Sequence, residues 1–144
     1  VATVPGIDGR KMSKSYGNTL PLFLPPKKLR KLCMKIVTDS TPVEEPKNPE
    51  SCNVFALYTL FATEEEQAQL AERYTAGGLG YGHAKQALFE AMDRFLESPR
   101  ERYAELAARP KLVAESLEHG AQKARSVASE TMKRVREACG LSFP

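Results

Sequence analysis

The amino-acid sequence predicts a mainly α-helical fold, in which a helical bundle follows a cationic loop and the end of a single strand. Three observations carry this prediction. From residue 27 onward, apolar residues recur at intervals of three, four and seven, as on the buried face of amphipathic helices. The one short β-branched run that suggests a strand is Val1–Val4. The 144 residues, 42% hydrophobic and 27% charged, suit a globular chain and exclude a disordered one.

The first 18 residues predict a strand end and a surface loop. Val1–Val4 is stopped by Pro5-Gly6, so we interpret it as the tail of a strand whose sheet lies elsewhere. Residues 6–18 hold three glycines and three basic residues with little apolar content, which is typical of a mobile loop. The sequence has no initiator Met, and we therefore expect it to be a fragment of a longer protein.

Two short helices are predicted next. Pro25-Pro26 opens a helix over 27–37 that carries apolar residues on one face and lysines on the other. Residues 39–49 contain three prolines and predict a connector. Asn53 is a good N-cap for a helix over 54–61, which is apolar nearly all round and is therefore expected to be buried.

A third helix follows a recognisable start signal. Thr63 and Glu66 have the spacing of a capping box, in which a cap hydroxyl and a glutamate three residues later satisfy each other's backbone N–H. The helix is expected to reach about residue 74 and to end at Gly77-Gly78.

Prolines divide the rest of the chain. A long helix is expected from His83, and Ser98-Pro99 is interpreted as the cap and first residue of a separate helix that runs to Ala108. Pro110 restarts the chain, and residues 121–138 form the last predicted helix.

The net charge of +3 hides a strong asymmetry. Residues 10–38 carry eight basic residues and no acidic one, residues 39–118 carry eight basic against fifteen acidic, and residues 119–144 carry five basic against two acidic. Two cationic ends therefore flank an anionic middle. This pattern suits contact with a polyanion at two separate places.

Composition also excludes several classes of protein. No apolar run approaches the ~20 residues of a membrane span, and the start resembles no signal peptide. Cys33, Cys52 and Cys139 are odd in number and far apart, with no metal-ligand spacing around them. We expect reduced thiols, no metal site, no membrane partner and a cytoplasmic location.

The segment with a chemical signal is the loop at Lys11–Ser15. Its two lysines, three residues apart and flanked by glycines, offer flexible point charges that suit a polyphosphate whose negative charge grows during a reaction. For an arbitrary pair of lysines, a solvated cationic loop is the commoner outcome.

The five residues Lys11-Met12-Ser13-Lys14-Ser15, however, match the signature loop of class I aminoacyl-tRNA synthetases without a substitution. The flanks Pro5-Gly6-x-Asp8-Gly9 and Tyr16-Gly17-Asn18 resemble those of the same family. Downstream segments resemble, in order and spacing, the carboxyl-terminal half of the bacterial tryptophan enzymes in this family. Those segments are Val37–Ser40, Gly80–Lys85, Pro99–Tyr103 and Gly120–Ala128.

The resemblance implies a fold and a reaction. Residues 1–40 would be the tail of a Rossmann-like α/β catalytic domain with its ATP loop, and residues 41–144 a helical tRNA-binding domain of the anticodon-binding type. The whole enzyme would activate tryptophan with ATP, accompanied by Mg²⁺, and transfer it to tRNA(Trp); the family forms homodimers. The related tyrosyl enzymes and a stand-alone helical RNA-binding module are the alternatives.

The resemblance also implies roles for individual residues. Lys11 and Lys14 would contact the ATP phosphates and act as the catalytic cations. Met12, Ser13 and Ser15 would bind ATP through backbone or hydroxyl groups, and Asp8 would order the loop by pairing with Arg10 or by capping a turn, although a plain turn aspartate is as good an interpretation. Basic residues of the last helix are candidate tRNA contacts: Lys123, Arg125, Lys133, Arg134 and Arg136.

The family's second signature, His-Ile-Gly-His, is absent from this sequence, whose two histidines are His83 and His119. The tryptophan pocket belongs to the same missing half. The fragment alone is therefore expected to be inactive as a synthetase.

Overall fold

The computed structural model describes residues 3–141, and in them the chain is mainly helical, as predicted. Five α-helices follow one another in the order α1 (Pro26–Cys33), α2 (Asn53–Tyr58), α3 (Glu64–Ala76), α4 (Tyr81–Ala107) and α5 (Pro110–Ala138). A short 3-10 turn at Lys14–Tyr16 precedes them. The predicted strand falls partly on Val1 and Ala2, which lie outside the described residues. Thr3 and Val4 belong to no strand.

The chain divides into two compact units, Val1–Arg100 and Glu101–Pro144. Residues 1–40, which the sequence assigns to a separate domain, lie in the first unit together with the helices up to Arg100. The boundary at residue 40 stays a prediction.

Apolar side chains from α1 to α4 form the core of the first unit. Leu29 of α1, Val54 of α2, Tyr74 of α3 and Leu88 of α4 are fully buried. The rings of Phe55 and Tyr74 meet edge to face with centroids 5.5 Å apart, an arrangement that aromatic quadrupoles favour. The periodicity of the sequence thus identifies most buried positions of α1 to α4.

The boundaries of α1 and α2 differ from the predictions. Helix α1 ends at Cys33 rather than near Val37, and Val37 instead donates its backbone N–H to the Ile7 carbonyl at 2.7 Å. The cap of α2 is Cys52, and Asn53 is the first helical residue. Its amide nitrogen is directed at the Val37 carbonyl, 3.5 Å away. In both places a contact with a distant segment overrides the local signal.

The predicted capping box of α3 is present. The Glu66 backbone N–H donates to the Thr63 hydroxyl at 3.3 Å, and the Glu66 carboxylate accepts from the Thr63 N–H at 2.9 Å. Arg94 of α4 donates to both oxygens of that carboxylate at 2.7 and 2.9 Å. The backbone hydrogen bond from Thr63, followed by Arg94, holds the pKa of Glu66 below its ordinary value.

Replacing Thr63 by alanine is expected to lower the free energy of unfolding by about 1 kcal/mol, because one N–H of the first turn loses its acceptor. Thr63→Ser keeps the hydroxyl and should retain most of the stability. Urea unfolding of the two variants beside the parent measures the difference. Equal losses in both would contradict a capping role.

The connector before α2 is ordered by a buried lysine. Lys47 is 4% exposed, and its ammonium donates to the carbonyls of Pro42 at 2.6 Å and Glu45 at 3.1 Å. It also lies 5.4 Å from the centroid of the Tyr81 ring, whose hydroxyl donates to Asp39 at 2.7 Å. Burial and this bond raise the pKa of Tyr81 to about 12.

The predicted break at Ser98-Pro99 is wrong, because helix α4 continues through Pro99 to Ala107. Proline removes one backbone donor and usually ends or kinks a helix. Here Arg100 reaches back two turns and donates to the Asp93 carboxylate at 2.6 Å and to the Asp93 carbonyl at 3.0 Å. This side-chain bridge spans the proline.

Helix α5 is longer than predicted, since it begins at Pro110 and not near residue 121. Proline at the first helical position costs nothing there, because that N–H has no partner within the helix. None of its residues is buried.

Candidate nucleotide loop and nucleic-acid interface

The signature loop, Lys11–Ser15, starts from a closed turn and not from an open segment. Pro5 and Lys11 form an antiparallel bridge. The Met12 N–H donates to the Val4 carbonyl at 2.9 Å, and the Gly6 N–H donates to the Arg10 carbonyl at 2.7 Å. Gly9, at φ +80°, makes the reversal that other residues rarely adopt.

The second half of the loop is the 3-10 turn. Ser13 is its N-cap, with a hydroxyl that accepts from the Ser15 N–H at 3.2 Å. Gly17 ends the turn in the left-handed region at φ +64° and donates to the Lys14 carbonyl at 3.1 Å. Lys14 is therefore the first residue of a capped turn.

The loop presents its two lysines to solvent. Lys11, Lys14 and Ser15 are exposed, and within the described residues neither lysine forms an ion pair. Met12 is half-buried and its side chain packs against the core, so that side chain does not face outward with the lysines. Two uncompensated ammonium groups three residues apart can take up a polyphosphate.

The loop is held together by a residue whose type and spacing do not mark it as important. Asn18 is 2% exposed. Its amide oxygen accepts from the Ser13 N–H at 2.8 Å, and its amide nitrogen donates to the Asp8 carboxylate at 2.7 Å and to the Lys11 carbonyl at 3.1 Å. Its place after Gly17 in the family-like flank was the only sign in the sequence.

Asp8 orders the loop, as one of the two interpretations of it predicts. Its carboxylate accepts from the Asn18 side chain, and also from the Arg10 guanidinium at 2.7 Å and the Arg10 N–H at 3.1 Å. The Arg10 guanidinium in turn stacks 4.8 Å from the centroid of the Tyr16 ring. The hydrogen bond from Asn18 is the main cause that holds the pKa of Asp8 below its ordinary value, and Arg10 adds to it.

We expect Asp8 to titrate below the ordinary aspartate pKa of about 3.9. Because its folded-state pKa is lowered, its contribution to stability is present above about pH 3.9 and is lost as the pH falls through the lowered value. NMR titration of the Asp8 carboxyl carbon measures the midpoint. A midpoint at or above 3.9 would contradict the observed hydrogen bonds.

The five candidate tRNA contacts are all exposed on α5, but they do not form one stripe. Residues 11 apart in an α-helix are turned by only about 20° and lie about 16 Å apart along its axis. Lys123 and Arg134 therefore share one face. Arg125 and Arg136 share nearly the opposite face, and Lys133 lies between the two faces, about 60° from Arg136.

The basic helix α1 keeps its lysines exposed, with Leu29 and Cys33 buried on the other side. Arg30 donates to the Gln86 side chain at 2.8 Å, a hydrogen bond that links α1 to α4. Burial raises the pKa of the Cys33 thiol to about 11, as expected for an unreactive core cysteine.

Across residues 3–141, no group of three or more His, Cys, Asp or Glu is placed to hold a metal ion. In the same residues no helix is long and apolar enough to cross a membrane.

The chain belongs to the class I tRNA synthetases of the tryptophan and tyrosine group, because the model of that family matches residues 1–97. The matched part includes the whole signature loop and helices α1 to α3.

Comparison with curated proteins bears on the choice between the tryptophan and tyrosine enzymes of this family. The chain is 48% identical over 140 residues to the tryptophan–tRNA ligase of Rhodopirellula baltica, which covers 97% of this chain and 44% of that protein. It is 47% identical over 141 residues to the tryptophan–tRNA ligase of Campylobacter jejuni, with 98% and 44% covered. The homologues thus favour the tryptophan branch over the tyrosyl alternative.

A solved structure agrees with these relatives. The crystal structure of tryptophanyl-tRNA synthetase from Campylobacter jejuni in complex with ADP and tryptophan matches with a TM-score of 0.88 at 47% identity. The match covers 98% of this chain and 44% of that one. The chain therefore spans less than half the length of the relatives that it resembles.

Proposed function

We propose that this chain is the carboxyl-terminal part of a tryptophan–tRNA ligase, an enzyme that activates tryptophan with ATP and transfers it to tRNA(Trp). The observation that carries the proposal is the complete signature sequence on a closed turn that leaves Lys11 and Lys14 exposed, with no acidic partner for either among residues 3–141. Close relatives with that name, aligned over nearly the whole chain, support it.

In the proposed reaction, a carboxylate oxygen of tryptophan attacks the α-phosphorus of ATP, and the bond from that phosphorus to the bridging oxygen of the β-phosphate breaks. Pyrophosphate leaves with the electron pair of the broken bond. Lys11 and Lys14 would stabilise the negative charge that grows on this leaving group. Ser13 and Ser15 would add hydrogen bonds, and Mg²⁺ would accompany ATP as its counter-ion.

The remaining parts of the proposal concern organisation and partners. Residues 1–40 would carry the ATP loop of the catalytic domain, and residues 41–144 would contact tRNA(Trp) through the basic residues of α5. The active enzyme would be a homodimer in the cytoplasm. A cytoplasmic location suits Cys33, Cys52 and Cys139, all three of which are free thiols.

Tryptophan-dependent exchange of pyrophosphate into ATP tests the proposal. The sample is the complete polypeptide encoded by the reading frame that contains these residues. We expect exchange with tryptophan and none with tyrosine. Exchange with tyrosine alone would establish the tyrosyl alternative, and binding of tRNA without exchange would establish the RNA-binding module.

A further inference from the structure

We propose that Asn18 is a positioning residue for adenylate formation, which fixes the backbone on both sides of Met12 and thereby the directions of Lys11 and Lys14. The inference rests on the proposed function and adds to it a residue outside the five signature positions. The side chain most enclosed by this loop is that of Asn18, which is polar and only 2% exposed. The five signature residues alone do not explain why a polar side chain is buried there.

A buried amide needs partners for its hydrogen-bonding groups, and Asn18 uses both ends of its side chain. The side-chain oxygen accepts from the Ser13 N–H at 2.8 Å. The side-chain nitrogen donates to the Asp8 carboxylate at 2.7 Å and to the Lys11 carbonyl at 3.1 Å. Its own backbone carbonyl accepts from the Ile7 N–H at 3.0 Å. One residue thus joins Ile7 and Asp8, in the turn before the signature loop, to the loop itself.

No other side chain of similar size can make this set of bonds. Aspartate offers acceptors only, and it would place a second carboxylate against that of Asp8. Leucine has the same branched arrangement of heavy atoms but would leave the Ser13 N–H and the Lys11 carbonyl without partners. The space is also closed from the other side, because a Cβ added at Gly6 would lie 2.4 Å from the Asn18 Cγ.

The hydrogen bonds of the Asn18 side chain restrain the backbone next to both lysines. Asn18 holds the carbonyl of Lys11 and the N–H of Ser13, and Ser13 is the residue that caps the turn beginning at Lys14. The backbone between the two lysines is therefore anchored at both ends by one amide group. A misplacement of about 1 Å at a charge that acts on a transition state can cost about 10²-fold in rate.

The test compares Asn18→Asp and Asn18→Ala in the complete polypeptide, with Asn48→Asp as the matched control. Asn48 is an exposed turn residue whose side-chain oxygen accepts from the Glu50 N–H at 2.9 Å, a bond that aspartate retains. Asn48→Asp adds the same charge outside the loop and should leave pyrophosphate exchange unchanged. We expect both Asn18 variants to lower kcat for exchange about 10²-fold with tryptophan affinity retained.

A double-mutant cycle separates positioning from a general structural role. If Asn18 acts through Lys14, the variant that carries Asn18→Ala and Lys14→Ala should be only about as slow as Lys14→Ala alone. Effects that multiply both with Lys14→Ala and with Lys11→Ala would overturn the inference, as would a loss of tryptophan binding in parallel with exchange in both Asn18 variants. Wild-type activity in both Asn18 variants would overturn it as well.

A second measurement does not depend on activity. If the amide of Asn18 holds the loop closed, trypsin should cleave after Lys11 and Lys14 faster in the Asn18 variants than in the parent, and Asn48→Asp should behave as the parent. Unchanged cleavage rates would overturn the anchoring. A parent polypeptide that shows no tryptophan-dependent exchange would instead remove the proposed function, and the cleavage result would still report on the anchoring.

Discussion

Replacing Lys14 by alanine in the complete polypeptide is expected to lower the rate of adenylate formation by about 10²–10³-fold, the usual cost of removing one preorganised group that stabilises transition-state charge. Lys14 is exposed and unpaired by any acid in the described residues, so its charge is available to a phosphate. The charge on pyrophosphate grows as the bond breaks. The variant should therefore lose kcat and leave the affinity for tryptophan unchanged.

Measuring pyrophosphate exchange at several tryptophan and ATP concentrations separates kcat from KM. Lys28→Ala provides a matched control, because Lys28 is an exposed lysine on α1 and the substitution removes the same charge. A similar loss of kcat in both variants would mean that the overall positive field and not the position of Lys14 matters. Loss of tryptophan binding in Lys14→Ala would assign the residue to ground-state binding.

Much of the helical fold could be predicted from the sequence, because its signals are local. The capping box at Thr63 and Glu66 needs only residues three apart, and the buried faces of α1 and α4 follow from helical periodicity. The errors arise where a distant partner intervenes. Pro99 has the local pattern of a helix start, whereas in the folded chain α4 continues through it and the side chains of Arg100 and Asp93 bridge it.

The candidate site likewise contains residues that a local sequence signal identifies and residues that only contacts in the folded chain identify. Lys11 and Lys14 could be identified because five consecutive residues form a rare signature. Asn18 could not be identified from its residue type, since its importance comes from closing a loop on residues five to ten positions away. Lys47 is a similar case, because a lysine in a proline-rich connector gives no sign that its ammonium will be buried among carbonyls.

Removing Lys133 and Arg136 together is expected to weaken tRNA binding about tenfold while pyrophosphate exchange stays unchanged, because each residue is proposed to neutralise a backbone phosphate. The slope of log K against log salt should become less steep by about 0.7–0.9 for each contact that is lost. Both residues are exposed on the same side of α5, and the helix has no buried residue whose loss of packing would confuse the result.

The geometry of α5 supplies its own control. Lys123→Ala with Arg134→Ala removes the same number of charges from another face of the same helix. If one face of α5 lies on the tRNA backbone, the two double variants should differ in affinity and in salt slope, and only one of them should be strongly impaired. Equal impairment would show that the summed charge of α5 attracts RNA without a defined contact face. A loss of pyrophosphate exchange in either variant would show that these residues maintain the fold and do not contact RNA.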